Sequence, residues 1–402
     1  MYMTGSTKEP LPEERAEHIV SDLPSWEEFF KERFVLDESG DINTNRKFNC
    51  YAKFGNSMSN PVILCVHGGG YSGLTWAPLT LALGQLGCEC SVVAPDLRGH
   101  GRSETSDDLD LSIETLAADM QAIWLGVKRK MGRSKVSLVL LGHSMGAAVA
   151  IRAAKQPEIA ADLSGIVVID VVEGTAIQSL NTMTSILRQR PSGFVSQEEA
   201  IEWALRSGTS RNRSSACISI PGMLTKVSNM NCPETNNALH SGKSTDSLTN
   251  QSSPVLKASS DKILETIPPR VPRTKLGPIL ESSSHIFQTD QMEDAVGFEK
   301  IQSKEIQWVW RTPLMLSKQY WEGWFTGLSE AFLSIPCPKI LILAGTDRLD
   351  TTLMVAQMQG KFQMLLLSKA GHAVHEDEPQ EVASTIHLFI KRHKLLKSVT
   401  TT

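Results

Sequence analysis

Gly142-His143-Ser144-Met145-Gly146 follows the apolar run 138–141 and precedes the small-residue run 147–151. That order predicts strand, sharp turn, helix, a turn that lifts one serine to the edge of a sheet. A side chain at Gly142 or Gly146 would collide with neighbouring backbone in such a turn. The helix N-terminus behind the serine favours the negative charge that acyl transfer develops. Ser144 is therefore the candidate nucleophile for ester hydrolysis, a reaction that also needs a base, an acid to orient it, and donors for the oxyanion. His372, in Ala370-Gly371-His372-Ala373 beyond the last apolar run, is the candidate base. His375 stands second, because Glu376-Asp377-Glu378 after it reads as a solvated turn and helix start. Asp347 and Asp170 each end an apolar run. Fold precedent favours Asp347, and the residues alone do not choose between them. The expected oxyanion donors are the backbone N–H of Met145 and one from Gly68-Gly69-Gly70, with Gly69 the candidate. The turn Asp96–Arg102 is assigned a structural role and no chemistry.

The elements that must carry these residues alternate. Phe48, Cys50, Ala52 and Phe54 alternate with polar neighbours, which predicts a half-buried strand. The continuous apolar run 61–66 predicts a strand covered on both faces, and the mostly apolar runs 90–94, 138–141, 165–169, 339–344 and 362–367 predict further strands. A helical stripe of Leu116, Met120, Ile123 and Trp124 lies between two of them. Strands alternating with helices predict a mostly parallel, doubly wound α/β sheet with its site at the carboxyl ends of the strands. The expected organisation is an N-terminal extension over 1–45, a core over 46–172 and 336–396, a helical cap over 173–227 and 305–335, and a disordered insertion over 228–304. The insertion is rich in Ser, Thr, Asn and Pro (Ser241, Ser244, Ser247, Asn250) and has no apolar periodicity. Tyr320, Trp321, Trp324, Phe325, Leu328 and Phe332 recur at helical spacing. They predict either a helix packed on the core or a cap wall beside a substrate groove.

Of 402 residues, 41% are hydrophobic and 21% charged, which is enough for a large core. The net charge of −4 excludes nucleic acid as the main partner. No apolar stretch reaches the ~18 residues a membrane span requires. The first residues carry no apolar segment, so no secretory signal is expected. Seven cysteines without a Cys-x-x-Cys pair predict reduced, mostly buried thiols. The expected location is cytoplasmic. Arg270, Arg273 and Lys275, interleaved with prolines, are too sparse to make a nuclear signal, which leaves a nuclear pool open.

Several runs resemble the protein phosphatase methylesterase family of the α/β-hydrolase superfamily. They are residues 141–146, Ile169-Asp170-Val171-Val172-Glu173-Gly174-Thr175-Ala176, residues 320–329, 343–350 and 357–364, and Ala370-Gly371-His372-Ala373-Val374-His375-Glu376-Asp377. The resemblance covers roughly 45–225 and 305–395 and does not extend to the insertion. It implies an α/β-hydrolase fold and removal of the methyl ester from the C-terminal leucine of the protein phosphatase 2A catalytic subunit. It also implies that this subunit is both substrate and docking partner, and that docking assembles the site. The triad it implies is Ser144, Asp170 and His372, which moves Asp347 to second place. No metal or organic cofactor is implied. An apolar cleft for leucine, walled by Trp and Phe from 308–332, would suit such a substrate, and Arg348, Lys318 and Arg311 are candidates to meet acidic tail residues. A general small-ester carboxylesterase of the same fold is the alternative.

Overall fold

The apolar runs fold as strands because no other element hides both faces of so short a segment. In the computed structural model, residues 23–38, 45–57, 60–229, 305–345 and 349–395 are described. β1 (Glu32–Asp37) and β2 (Arg46–Lys53) precede β3 (Val62–Val66), α1 (Ala77–Gln85), β4 (Ser91–Pro95), the short β5 (Glu104–Thr105) and α2 (Ile113–Met131). Then come β6 (Leu138–His143), α3 (Met145–Ala153), α4 (Pro157–Ala160) and β7 (Leu163–Ile169). Three helices follow, α5 (Glu173–Gln189), α6 (Gln197–Arg206) and α7 (Arg213–Gly222), with the two-stranded ribbon β8 (Leu224–Lys226) and β9 (Trp308–Trp310). The chain continues through α8 (Trp321–Phe325), α9 (Leu328–Ser334), β10 (Lys339–Leu343), α10 (Thr351–Met358), β11 (Gln363–Leu366), α11 (Val374–Asp377) and α12 (Pro379–Arg392).

The main sheet runs β1-β2-β4-β3-β6-β7-β10-β11, with β5 paired to β2. Pairing is antiparallel at β1–β2 and β2–β4 and parallel from β4 to β11. Every residue of β3, β4 and β6 is buried. One face packs on Leu116, Met120, Trp124, Trp321 and Trp324, and the other on Trp76, Leu79, Phe389 and Ile390. Ser112 caps α2 by accepting from the Thr115 N–H, and Gly132 ends it in the left-handed conformation, a pairing that sequence alone makes natural.

Two elements depart from the expected pattern. β2 is not half-buried, because Tyr51 meets the rings of Trp26 and Phe30 at 6.1 and 5.6 Å, and Asn49 donates to the buried Asp96 carboxylate. Local alternation cannot reveal a segment that arrives from elsewhere to cover the second face. The aromatic stretch is not one helix. Thr326 and Gly327 part α8 from α9, with Gly327 at φ +70°. Trp321, Trp324, Phe325, Leu328 and Phe332 are all buried in the core. Residues 230–304, with the serine-rich insertion and the Arg270–Lys275 cluster, lie outside the described residues, as do 1–22, 39–44 and Asp347 with Arg348.

Candidate active site

Ser144 stands where β6 turns into α3, with φ +52° and ψ −123°. A side-chain-bearing residue rarely adopts that backbone, and such strain costs on the order of 1–3 kcal/mol. Of the three described non-glycine residues at positive φ, two are Ser144 and Asp170. The turn survives because everything around it closes tightly. A methyl on Gly146 would lie 2.2 Å from Val66 O, and one on Gly142 2.5 Å from Ala147 Cα. The Ser144 N–H donates to Ile169 O on β7 at 3.0 Å.

Asp170 lies just past β7 and is 4% exposed. Its N–H donates to Ile342 O at 2.8 Å, and its Oδ1 accepts from the Ala344 N–H at 3.0 Å. Its Oδ2 sits 2.7 Å from His372 Nδ1. A carboxylate only accepts, so Nδ1 carries the proton and Nε2 keeps a free lone pair, the tautomer that can take a proton from an alcohol. The His372 side chain is 52% exposed. Among the described residues Ser144 Oγ makes no hydrogen bond to it, so serine and imidazole are not yet joined. Catalytic hydrogen bonds often tighten only when substrate is bound.

The glycine turn after β3 faces the start of α3. A methyl placed on Gly69 would lie 3.6 Å from Met145 Sδ and 3.3 Å from Leu314 Cδ2. The first N–H groups of a helix lack an intrahelical acceptor, which leaves that of Met145 available, and the Gly69 N–H donates to no group among the described residues. Both N–H groups are therefore free to donate.

The support around this turn was not legible as chemistry in the sequence. The Gly70 N–H donates to His100 Nε2 at 2.9 Å, and His100 Nδ1 in turn donates to Arg98 O at 2.7 Å. His67 repeats the pattern, accepting from the Leu97 N–H at Nε2 and donating to Gly68 O. Both rings are fully buried, and burial drives the His100 pKa down to about 4 and that of His67 well below the usual histidine range. Asp96, buried and with its pKa raised by burial, accepts from the N–H groups of Gly73 and Arg102 and from Asn49. The only sequence signal for this set is the presence of histidine and aspartate beside glycines at the ends of β3 and β4.

His143 is buried as well, with its pKa pushed well below the ordinary value first by burial and then by its neighbours His375 and His372. Its Nε2 donates to the His372 carbonyl at 2.9 Å, and its ring lies 4.7 Å from that of His372. His375 corrects the expectation of a solvated turn. It is fully buried, stacks on Trp76 at 4.2 Å, and shares Thr75 Oγ1 with the buried Glu376. Burial takes the His375 pKa down to about 3 and raises that of Glu376 to about 8. Charged residues at the start of α11 look solvated in sequence; they are covered here by α1, the Gly73–Trp76 turn and α7.

The walls differ from the expected Trp and Phe cleft. The buried indoles of Trp321 and Trp324 donate inward, to Ser317 Oγ and Leu111 O, and Leu314 takes the place beside Gly69 and Gly70. Arg311 is engaged with Asp108 Oδ2 and Ser103 O. A cleft of about 1020 Å³ between Trp26, Tyr51, Gly101 and Trp308 contains neither Ser144 nor His372. Among the described residues no group of three or more His, Cys, Asp or Glu is placed to hold a metal ion, and no helix is long and apolar enough to cross a membrane. The six described cysteines are free thiols.

Residues 63–385 match the model of the alpha/beta hydrolase family. Protein phosphatase methylesterase 1 of Bos taurus is 36% identical over 374 residues, covering 93% of this chain and 87% of that protein. Probable protein phosphatase methylesterase 1 of Caenorhabditis elegans is 37% identical over 376 residues, covering 94% and 79%. In structure, E-2-(acetamidomethylene)succinate hydrolase superposes with a TM-score of 0.56 at 15% identity over 90% of this chain and 99% of that one, a likeness of fold alone. The bend at Ser144, the neighbouring glycine turn and similarity along nearly the whole chain agree. The chain belongs to the protein phosphatase methylesterase family, carboxylic ester hydrolases of the α/β-hydrolase fold.

Proposed function

We propose that this chain removes the methyl ester from the C-terminal leucine of the protein phosphatase 2A catalytic subunit, with Ser144 as nucleophile, His372 as base and Asp170 as the acid that orients it. The observation that carries this reading is the 2.7 Å contact of His372 Nδ1 with Asp170 Oδ2 at the strand edge that also bears Ser144. The names of the relatives point to a methyl ester on a protein phosphatase, and the resemblance of residues 141–146, 169–176 and 370–377 supports the narrower choice of the phosphatase 2A tail.

In this mechanism His372 Nε2 takes the proton of Ser144 Oγ as the oxygen attacks the ester carbonyl. The N–H groups of Gly69 and Met145 hold the oxyanion. His372 then returns the proton to the departing methoxide, and methanol leaves. Water, deprotonated by the same ring, attacks the acyl-enzyme and frees the carboxylate and Ser144. Asp170 keeps Nδ1 protonated and stabilises the imidazolium. Methanol needs no leaving-group pocket, so recognition falls on the peptide side. The half-exposed His372 ring, not hydrogen-bonded to Ser144, suits a base that is drawn in when the phosphatase docks.

Incubation with methylated phosphatase, followed by mass measurement of its C-terminal peptide, tests the reading. Loss of one methyl by the wild-type protein and none by Ser144→Ala is expected. Undiminished demethylation by that variant would sink it. Fast turnover of small acyl esters without any protein partner would favour a general carboxylesterase instead.

A further inference from the structure

Arg190 ends α5 in extended backbone, with its N–H on Leu187 O. Its guanidinium lies over the Trp310 ring, 4.9 Å from the centroid. Trp310 is itself fixed, since its indole N–H donates to Pro191 O and its ring packs on Phe194 and Trp203. Nη1 of Arg190 reaches to 3.7 Å from the point where a side chain on Gly70 would begin, one residue along from Gly69.

This guanidinium has five donors and no acceptor. Among the described residues none of the five finds a hydrogen-bond partner, Nε is wholly shut from solvent, and no carboxylate pairs with the charge. Burial lowers the pKa of the group, yet an arginine stays charged under any ordinary condition. The residue is half-buried: Nε is shut in without a partner, while the two Nη groups keep an edge to solvent where a carboxylate could pair with the charge. The neighbouring arginines are matched. Arg98 forks onto Asp119, and Arg311 holds Asp108. Arg190 alone of the three is held with its edge open beside the glycine turn.

We infer that Arg190 is a carboxylate receptor of the ester cleft, binding an acid group carried by the peptide whose C-terminal ester is cut. The planar fork suits a carboxylate in two-point contact, and the indole beneath it fixes the plane. Two sources share that chemistry: an acidic side chain next to the C-terminal residue, and the carboxylate that hydrolysis creates. The inference rests on the reading of the Ser144 cleft as the ester site.

Binding is measured by calorimetry on the Ser144→Ala protein, so that it needs no turnover. The ligands are short peptides ending in leucine methyl ester, with Asp or Asn at each of the three preceding positions, together with the matching free acids and carboxamides. At one position the Asp peptide binds tenfold or more tighter than the Asn peptide, or the free acid outbinds its carboxamide by that factor; the first result identifies a side chain as the source, the second the product. Adding Arg190→Gln brings the affected ratio to about one, and Arg190→Lys leaves it between. No preference for Asp at any position and none for the free acid overturns the proposal on the unsubstituted cleft, whether or not the variants fold. Equal weakening of acidic and neutral peptides by Arg190→Gln also overturns it. Labelling of wild-type Ser144 by a fluorophosphonate reports separately on the catalytic reading.

Discussion

His143 holds His372 by its backbone, not by its ring: Nε2 of the first donates to the carbonyl of the second across 2.9 Å. His143 thereby fixes the backbone of the loop that bears His372, while Asp170 holds the ring through Nδ1. Removing the ring in His143→Ala leaves that carbonyl unpaired and the loop unsupported. A 10- to 100-fold fall in kcat is expected, as about an ångström of displacement can cost 10²-fold. His143→Gln, which keeps a donor, should recover part of it. Equal kcat for both variants and wild type in the demethylation assay would refute the role.

Asp170→Asn separates charge from geometry. Asparagine tolerates the positive φ and can keep the bond from the Ala344 N–H through its oxygen. Its amide then faces His372 Nδ1 as a donor and selects the wrong tautomer. A loss on the order of 10³–10⁴ in kcat with little change in melting temperature is expected. Retention of kcat within tenfold would return Asp347 to consideration.

Ser144→Gly should abolish turnover and raise stability. Glycine occupies φ +52° without the clash that serine carries, which is worth about 1–3 kcal/mol. Urea unfolding of this variant against Ser144→Ala reads the difference, since alanine keeps the strain. A glycine variant no more stable than the alanine one would contradict the strained bend.

Acid should destabilise the protein from about pH 6.5 downward. His100 and His375 titrate at about 4 and about 3 in the fold, below the ordinary histidine value. The unfolded chain therefore binds protons that the fold refuses, so the stability these two rings contribute is fully present above pH 6.5 and is lost as pH drops toward 4. Each such ring contributes about 1.4 kcal/mol per pH unit. Glu376, held protonated up to about 8, acts the other way and offsets one of them over the range between its unfolded pKa and 8. His100→Gln should remove one ring's slope between pH 6.5 and 4.5, as read by urea unfolding at several pH values. An unchanged slope would show that His100 is protonated in the fold.

The sheet and its serine turn were readable because their causes are local. A glycine two residues either side of Ser144 and a two-face apolar run are both visible in a dozen residues. The choice between Asp170 and Asp347 was not local. It depends on which carboxylate the loop carrying His372 meets 202 residues later, and only the resemblance pointed to Asp170. The burial of His375 and Glu376 was equally hidden. Nothing in His375-Glu376-Asp377 announces that α7 and the Gly73–Trp76 turn will cover it. Trp321 and Trp324 have helical spacing that suits a groove wall and a core equally, and their inward indole bonds decide for the core.

The strand that leads to Ser144 sits mid-sheet, while His372 lies in the chain beyond β11, the strand paired to β10 at the sheet's edge. On the proposed roles, a chain that ends after β7 carries the serine but not the base meant to deprotonate it. If those roles hold, ester turnover reports on chains whose final strand is in place, and a truncation before β11 would be silent even where most of the sheet had formed.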